Sequence, residues 1–166
     1  PTPPFDATLE YITPDFVLFW QPPSAFSHWT PFIVDAMTYG CMEQFLMAEK
    51  DRLFGDSNAQ CKIMRTDYPS FHMRLGRNVR GFDTAVWDNR HGDIALMGNY
   101  AIFSRNPAML RQLLATGDRT LAEASPKDTL WGIGLRVDHA NAQHPSLWRG
   151  QNFLGTVLQQ VRSLSR

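Results

Sequence analysis

The chain has few of the features that identify common functional classes. Its 166 residues include two cysteines, Cys41 and Cys61, and neither lies in a CxxC or Cys/His pattern, so we expect no disulfide framework and no zinc site. The five histidines show no metal-ligand spacing, and no GxSxG, HExxH, Walker or GxGxxG pattern is present. No uncharged apolar run approaches the roughly 18 residues that span a bilayer, and the first residues lack the basic and apolar regions of a secretory signal. We therefore expect a cytoplasmic or nuclear protein without a metal, a cofactor or a membrane partner.

Charge is balanced overall but uneven along the chain. Residues 1–60 carry two basic and eight acidic residues, whereas residues 61–105 and 106–166 each carry seven basic and four acidic residues. Most of the basic residues are arginines, whose planar guanidinium suits bidentate contact with phosphate. This pattern argues against charge-driven, nonspecific binding of nucleic acid. It leaves open a local phosphate site or an ordinary solvated surface.

The hydrophobic pattern predicts a helix-rich α+β fold around a small sheet. Hydrophobic residues make up 43% of the chain and aromatic residues 12%, which is typical of a globular domain. Short apolar runs predict strands, and periodic apolar stretches between capping signals predict helices. The expected strands are 16–20, a hairpin over 32–39, and 120–124; the expected helices are 41–54, 57–65, 69–76, 83–103, 107–115 and 152–164. We expect a single domain over residues 15–166, preceded by a proline-containing extension over residues 1–14.

The segment Ser125–Gly134 concentrates groups that can contact a small molecule. Pro126 and Gly132 indicate a bent backbone, because proline fixes its own φ and glycine allows close approach to the main chain. Trp131 offers a flat face to an aromatic ring, and Asp128 can transfer a proton or accept a hydroxyl hydrogen bond. The segment predicts either one wall of a pocket or a tight turn with a core tryptophan.

Glu43 and Lys50 lie seven positions apart on the helix predicted over 41–54. They differ by only about 20° in direction around a helix, so both face the same side, with Met47 between them. A carboxylate and an amine aligned with an apolar residue form either a pocket wall or an exposed stripe. Trp87, on the long predicted helix, is either a core residue or a platform for a ligand ring.

Two glycine-containing sites are candidates for binding phosphate. Gly76 ends a predicted helix just before Arg77, whose side chain would then face a phosphate or carboxylate. Gly150 and Asn152 lie at a predicted helix start, where backbone N–H groups can bind an anion. Asn152 can instead serve only as the helix cap.

Short motifs also occur in a distinctive order along the chain. They are Phe26-Ser27-His28-Trp29, Tyr39-x3-Glu43-Gln44-Phe45-x4-Lys50, Leu75-Gly76-Arg77, Trp87, Asn106-Pro107-x2-Leu110, Leu121-x-Glu123-x-Ser125-Pro126-x-Asp128-x2-Trp131-Gly132-x-Gly134 and Gly150-x-Asn152-x-Leu154-Gly155. No single motif is decisive, but the ordered set over about residues 15–165 resembles the NADAR family, also called the YbiA-like N-glycosidases.

The resemblance implies an α+β N-glycosidase that hydrolyses the bond between ribose C1 and an amine nitrogen. It implies two substrate classes: ADP-ribose attached to guanine in nucleic acid or nucleotide, and phosphoribosylamino-pyrimidines of early riboflavin synthesis. It places the catalytic residues at Glu43, Lys50, Trp87 and Asp128. Together with the patterns above, it makes substrate-binding candidates of Phe26, Ser27, His28, Arg77, Trp131, Gly132, Gly150 and Asn152.

Several roles stay open at this point. Asp128 can be an acid, a base or a hydroxyl anchor, and Lys50 either forms a covalent iminium or only pairs with Glu43 or a phosphate. We prefer ADP-ribosyl-guanine as substrate and expect a monomer that acts on an ADP-ribose-containing partner, including modified nucleic acid. A binding module that recognises ADP-ribose or NAD without turnover is the rival class, and the presence of Glu43, Lys50 and Asp128 together argues against it.

The chain departs from the family pattern in three places. Phe26-Ser27-His28-Trp29 stands where the family often has Phe-Ser-Asn-Phe, and Glu43-Gln44-Phe45-Leu46-Met47 stands where it has Glu-His-Tyr-Phe-Gln. The stretch over 135–148 is longer than the usual link. These departures lie beside the expected pocket, so they bear on substrate choice more than on the chemistry.

Overall fold

The computed structural model describes residues 10–21, 24–27 and 31–166. Its strands, in chain order, are β1 (Tyr11–Ile12), β2 (Phe16–Phe19), β3 (Phe32–Val34), β4 (Met37–Tyr39) and β5 (Thr120–Glu123). Its α-helices are α1 (Met42–Leu53), α2 (Ser57–Met64), α3 (Pro69–Arg77), α4 (Thr84–Arg105), α5 (Pro107–Ala115) and α6 (Phe153–Leu164), and a 3-10 helix covers Pro145–Leu147. The expected helix-rich α+β class is confirmed.

The chain folds into two compact units. Unit 1 contains the chain up to Ser27 and again from Pro107 to Arg166, and unit 2 is the intervening stretch His28–Asn106. Unit 1 therefore holds β1, β2, β5, α5 and α6, and unit 2 holds β3, β4 and α1 to α4. The boundary expected between residues 14 and 15 stays a prediction.

Unit 1 contains a three-stranded mixed sheet in the order β1-β2-β5. β2 and β5 are parallel, with Phe16 paired to Thr120 and Phe19 to Glu123, and β1 is antiparallel to β2. One face of the sheet packs into an apolar cluster made of Leu18, Ala122, Ala124, Ile133, Leu135 and Ala142. Because the carboxyl ends of parallel strands meet at one edge, the segments that follow β2 and β5 leave the sheet together.

Helix α6 packs closely on β5 in the same unit. Its buried apolar face is Leu154, Val157, Leu158 and Val161. Gly155 permits the close approach, since a Cβ there would lie 2.0 Å from the Leu121 carbonyl oxygen. Asn152 holds the strand with its side chain: Oδ1 accepts the Glu123 N–H at 3.1 Å and Nδ2 donates to the Leu121 carbonyl oxygen at 2.8 Å. Asn152 is thus the cap residue by position, at φ 52°, but its side chain binds β5 instead of the first turn of α6.

The hairpin expected in unit 2 is confirmed. β3 and β4 are antiparallel, and Val34 pairs with Met37 across Asp35 and Ala36. Both turn residues have positive φ, 49° and 64°. Two-residue hairpins favour this backbone because its twist matches that of the strands.

Helix α1 contacts α2, α3 and α4 in unit 2. Met42 and Phe45 of α1 are fully buried. A Cβ at Gly98 of α4 would lie 2.5 Å from the Met42 side chain and 2.8 Å from that of Phe45. Gly98 lowers the helix propensity of α4 but allows this packing, and α4 runs unbroken over Thr84–Arg105.

The expected helix starts follow local capping chemistry. Asp56 precedes α2 and its side chain accepts the Ala59 N–H, as the sequence predicts. Pro69 is the first residue of α3, and Pro107 is the first residue of α5.

Candidate active site

Lys50 lies partly buried in the last turns of α1, in unit 2. Its Nζ donates a hydrogen bond to the Gly76 carbonyl oxygen of α3 at 2.7 Å. The same Nζ lies 4.3 Å from the centroid of the Phe82 ring and 5.3 Å from that of the Trp87 ring. One carbonyl oxygen and two aromatic rings therefore surround the amine, and each favours positive charge at Nζ.

Burial acts against that charge. It lowers the pKa of Lys50, while the negative charges of Asp51 and Glu43 act in the opposite direction and only partly offset it. The influence of Glu43 agrees with the common helix face expected from the spacing. Glu43, Met47 and Lys50 are all partly buried, so this face of α1 is not an exposed stripe.

Trp87 lies in the first turn of α4 and is partly buried. Its ring faces Lys50 and lies 5.8 Å, centroid to centroid, from the ring of His91. The Asp83 side chain fixes this turn by accepting the Val86 N–H at 3.0 Å. The structure thus places the Trp87 ring beside the Lys50 amine, and its role as a platform for a ligand ring stays a prediction.

Gly76 has a larger part in this arrangement than its sequence context indicates. It lies inside the last turn of α3, which ends one residue later at Arg77. A Cβ at Gly76 would lie 2.0 Å from Met47 Sδ, so glycine lets α1 and α3 approach closely enough for Lys50 to reach the Gly76 carbonyl. Arg77 is exposed, and its contact with substrate stays a prediction.

Asp128 shapes a turn in unit 1. Its Oδ1 accepts the N–H groups of Leu130 at 3.0 Å and Trp131 at 2.7 Å, and its own N–H donates to Ser125 Oγ at 3.3 Å. The Trp131 ring meets Phe153 of α6 edge to face at 5.2 Å. One carboxylate oxygen of Asp128 therefore organises the backbone that carries Trp131 and Gly132, so the pocket-wall and tight-turn interpretations are compatible.

The expected phosphate cradle at the start of α6 is not available. The N–H groups of Gly150, Gln151 and Asn152 donate to the carbonyl oxygens of residues 133, 129 and 132, at 2.8, 2.8 and 3.0 Å. The prediction that these amides bind a phosphate is therefore wrong, because the backbone of the 129–133 turn already occupies them. Gly150 serves close packing instead, since a Cβ there would lie 2.2 Å from the Gly132 carbonyl oxygen.

Two of the three candidates that follow β2, Phe26 and Ser27, belong to unit 1. Phe26 is buried and meets Phe19 edge to face at 5.5 Å. Ser27 Oγ donates to the Ser24 carbonyl oxygen at 2.8 Å. His28 lies outside the described residues. The binding roles of all three stay predictions.

Two acidic residues with buried carboxyl oxygens, Glu123 and Asp51, were not singled out from the sequence. Burial and the charge of Asp128 raise the pKa of Glu123 to about 7, and Glu123 Oε2 is buried without a hydrogen-bond partner among the described residues. Burial and the charge of Asp56 raise the pKa of Asp51 to about 6, and neither of its side-chain oxygens has such a partner. The position of Glu123 in the Leu121-x-Glu123 motif, at the end of an apolar strand, is the one signal that pointed to it.

A separate cavity of about 470 Å³ lies between α1 and α4 in unit 2. Its lining residues include Glu49, Arg52, Arg90 and Asp93 and do not include Lys50. Within the described ranges, no group of histidine, cysteine and acidic side chains is placed to hold a metal ion. The part of the chain that the structure describes also contains no helix long and apolar enough to cross a membrane.

The chain is similar to known proteins in both its structure and its sequence. The fold is similar to the NMR structure of the Escherichia coli protein YbiA, with a TM-score of 0.74 and 23% identity over 93% of this chain and 86% of that one. "N-glycosidase R617" of Acanthamoeba polyphaga mimivirus is 43% identical over 124 residues, which cover 75% of this chain and 73% of that protein. "Riboflavin biosynthesis protein PYRR, chloroplastic" of Zea mays is 29% identical over 164 residues, which cover 89% of this chain and 24% of that protein. A family model described as NADAR domain matches residues 17–165, across both units, and the chain therefore belongs to the NADAR domain family.

Proposed function

We propose that this NADAR-family chain is an N-glycosidase that hydrolyses the C1–N bond of a ribosylated amine. The observation that carries the proposal is the environment of Lys50: a partly buried amine with a lowered pKa, Glu43 close enough to affect it, and two aromatic rings within 5.3 Å of Nζ. Family membership and a relative named an N-glycosidase support the same reaction class.

Lys50 is suited to act as a nucleophile toward C1 of a ring-opened ribose. The neutral amine forms a bond to C1, and the C1–N bond to the base breaks, with its electron pair going to the departing nitrogen, which takes a proton. The product is an iminium between Lys50 and C1, and water then adds to C1 and releases the amine and the sugar. Glu43 moves the protons that the amine loses and regains.

The aromatic rings favour this path for a physical reason. An iminium carries positive charge at the same nitrogen as an ammonium, so Phe82 and Trp87 stabilise both forms. Burial acts on the amine before attack, since it raises the fraction of neutral Lys50 that can form a bond. The alternative is direct attack by water, with Lys50 held only as a cation by Gly76 and Glu43.

The substrate we favour is ADP-ribose attached to guanine, in nucleic acid or in a nucleotide. The arginine-rich stretch over 61–105, which includes the exposed Arg77, supports recognition of phosphate. A phosphoribosylamino-pyrimidine is the second candidate, because the Zea mays relative is named a riboflavin biosynthesis protein. This chain corresponds to only 24% of that protein, and it is 43% identical to the relative that is named an N-glycosidase.

Product analysis separates these candidates. The protein is incubated with ADP-ribosylated guanosine, with DNA carrying the same modification, and with a phosphoribosylamino-pyrimidine. We expect free ADP-ribose from the first two. Release of ribose 5-phosphate alone would assign the riboflavin-type substrate, and binding of ADP-ribose without turnover of any substrate would assign a binding module.

Borohydride trapping tests the role of Lys50. Reduction during turnover converts an iminium into a stable secondary amine, so we expect a covalent adduct on Lys50 that mass spectrometry can map. The adduct should persist in Lys62→Ala, because Lys62 is an exposed lysine of α2 in the same unit, and vanish in Lys50→Ala. An active wild-type enzyme that yields no adduct would rule out the covalent path.

The proposal also covers the oligomeric state, the cellular location and the metal dependence of the protein. We propose a monomer that works in the cytoplasm or nucleus on an ADP-ribose-containing substrate, without a metal. Sedimentation of the purified protein at several concentrations tests the monomer. Activity that survives extensive dialysis against a chelator tests independence of a metal.

A further inference from the structure

Phe82 is an aromatic residue beside the candidate amine that the motifs in the sequence did not single out. It lies in the segment between α3 and α4 of unit 2, and it is 43% exposed. Lys50 Nζ lies over its ring, 4.3 Å from the centroid, compared with 5.3 Å from the centroid of the Trp87 ring. Phe82 is therefore the nearer of the two rings, and part of it is open to solvent.

The fold of unit 2 holds the Phe82 ring in this place. Gly81, directly before it, has φ 70°, a backbone conformation that glycine adopts without strain. Asp83, directly after it, is the cap residue of α4 and accepts the Val86 N–H at 3.0 Å. The ring itself meets the Phe54 ring at the end of α1 edge to face at 5.3 Å. Contacts within one unit thus position the ring over the amine.

The base that leaves C1 must come close to this ring. When Lys50 attacks, a tetrahedral C1 is bonded both to Nζ and to the nitrogen of the base, and each C–N single bond is about 1.45 Å long. The base nitrogen then lies within about 3 Å of Nζ and within about 7 Å of the Phe82 centroid. Aromatic rings stack with their centroids about 4.5–7 Å apart. A planar base on C1 is therefore within stacking reach of Phe82.

The exposure of Phe82 favours the same contact. A single exposed apolar side chain is ordinary in a folded protein, but Phe82 combines its exposure with a place against the candidate nucleophile. A base that covers the open part of the ring removes apolar surface from water, and this burial stabilises the complex.

We propose that Phe82 is a specificity-determining residue that stacks on the departing base, so that the Lys50 site selects substrates whose C1–N bond leads to a planar nucleobase. This inference rests on the proposed function, in which Lys50 attacks a C1 that carries such a base. Every nucleobase has a flat π-face that an aromatic side chain can contact, whereas a saturated amine has none. Phe82 selects the leaving group and takes no part in proton transfer.

Calorimetry tests the proposal without turnover. Guanosine is titrated into the protein saturated with ADP-ribose, which confines guanosine to the place of the departing base. Phe82→Leu keeps an apolar side chain over Lys50 but removes the aromatic face, so we expect guanosine to bind about five- to tenfold more weakly. Phe82→Tyr restores the face and should bind guanosine within about twofold of the wild type. The affinity for ADP-ribose should change by less than about twofold in both variants.

Tyr68→Leu is the matched control, because Tyr68 is an aromatic residue of the same unit that is 74% exposed. It should leave both affinities unchanged. Equal guanosine affinity in the wild type and Phe82→Leu, or no guanosine binding to the wild type, would overturn the proposal. A wild type that binds no ADP-ribose would refute the proposed substrate instead, and titration of guanosine alone would then decide this inference.

Steady-state kinetics give a second measurement. We expect the KM for ADP-ribosylated guanosine to rise about five- to tenfold in Phe82→Leu and to return to within about twofold of the wild-type value in Phe82→Tyr. An unchanged KM in Phe82→Leu would refute the role of Phe82. A wild type without turnover would refute the proposed N-glycosidase function, and calorimetry would still decide whether Phe82 binds the base.

Discussion

Ionisation of the buried Asp51 side chain destabilises unit 2, and the size of this effect depends on pH. Its side chain is 0% exposed and neither oxygen has a hydrogen-bond partner among the described residues. Burial, reinforced by the charge of Asp56 and partly opposed by Lys50, raises the pKa of Asp51 from 3.8 to about 6. At about 1.4 kcal/mol per pKa unit, this rise corresponds to about 3 kcal/mol in the free energy of unfolding.

The free energy of unfolding changes with pH because the unfolded chain and the folded chain lose the Asp51 proton at different pH values. Below pH 3.8 the folded and the unfolded chain both hold it, and Asp51 costs nothing. As the pH rises from 3.8 to about 6, the unfolded chain ionises first, so the free energy of unfolding falls. Above about pH 6 both states are ionised, and the loss is complete.

Asp51→Asn tests this reasoning because an amide stays neutral throughout. Its NH₂ group adds a cost of its own, but that cost does not change with pH. We therefore expect the difference in unfolding free energy, variant minus wild type, to rise by about 2–3 kcal/mol between about pH 4 and about pH 7. Urea unfolding followed by circular dichroism at several pH values measures it.

Asp67→Asn is the matched control, because Asp67 is an exposed carboxylate of the same unit. Its difference from the wild type should stay flat over the same range. A flat difference for Asp51→Asn as well would show that the buried carboxyl group ionises normally, and the account of Asp51 would be refuted.

Urea unfolding of four further variants tests contacts within unit 1. Asn152→Ala removes both side-chain hydrogen bonds to β5 and should cost about 2–4 kcal/mol; a loss below about 1 kcal/mol would contradict this clamp. Gly155→Ala places a Cβ 2.0 Å from the Leu121 carbonyl oxygen. Gly117→Ala is the comparison, because its Cβ meets only the backbone strain of φ 61°, which costs about 1 kcal/mol. We expect Gly155→Ala to destabilise the protein more than Gly117→Ala, and the reverse order would contradict the close packing of α6 on β5. Asp138→Asn breaks an ion pair between side chains that are 66% and 59% exposed, so we expect its urea midpoint to match that of the wild type; a clearly lower midpoint would show that the pair is not merely a surface contact.

Local signals in the sequence predict most of the helices and the short hairpin. The Asp56 cap, Pro69 and the Asn106-Pro107 pair each act within a few residues, so a single sequence carries the information. The common face of Glu43 and Lys50 is also local, because the geometry of one helix fixes it.

Contacts between distant segments could not be predicted in the same way. Nothing near Lys50 indicates that its partner is the Gly76 carbonyl, and nothing near Asn152 indicates that its side chain holds β5. The phosphate cradle expected at Gly150 was wrong for this reason, because its amide donors are used by residues about twenty positions earlier. The division into two units likewise depends on the pairing of β2 with β5, which leaves no local mark in the sequence.

The parallel pairing of β2 with β5 sets an order of events during synthesis. Unit 2 is continuous in sequence, so all of its internal contacts become available once residue 106 has been made. Phe16–Phe19 of β2, by contrast, must wait for Thr120–Glu123, which takes about 5–20 s at a ribosomal rate of about 5–20 residues per second. During that interval β1 can already pair with one edge of β2, but the edge that later pairs with β5 stays open and is exposed to mispairing and to capture by a chaperone.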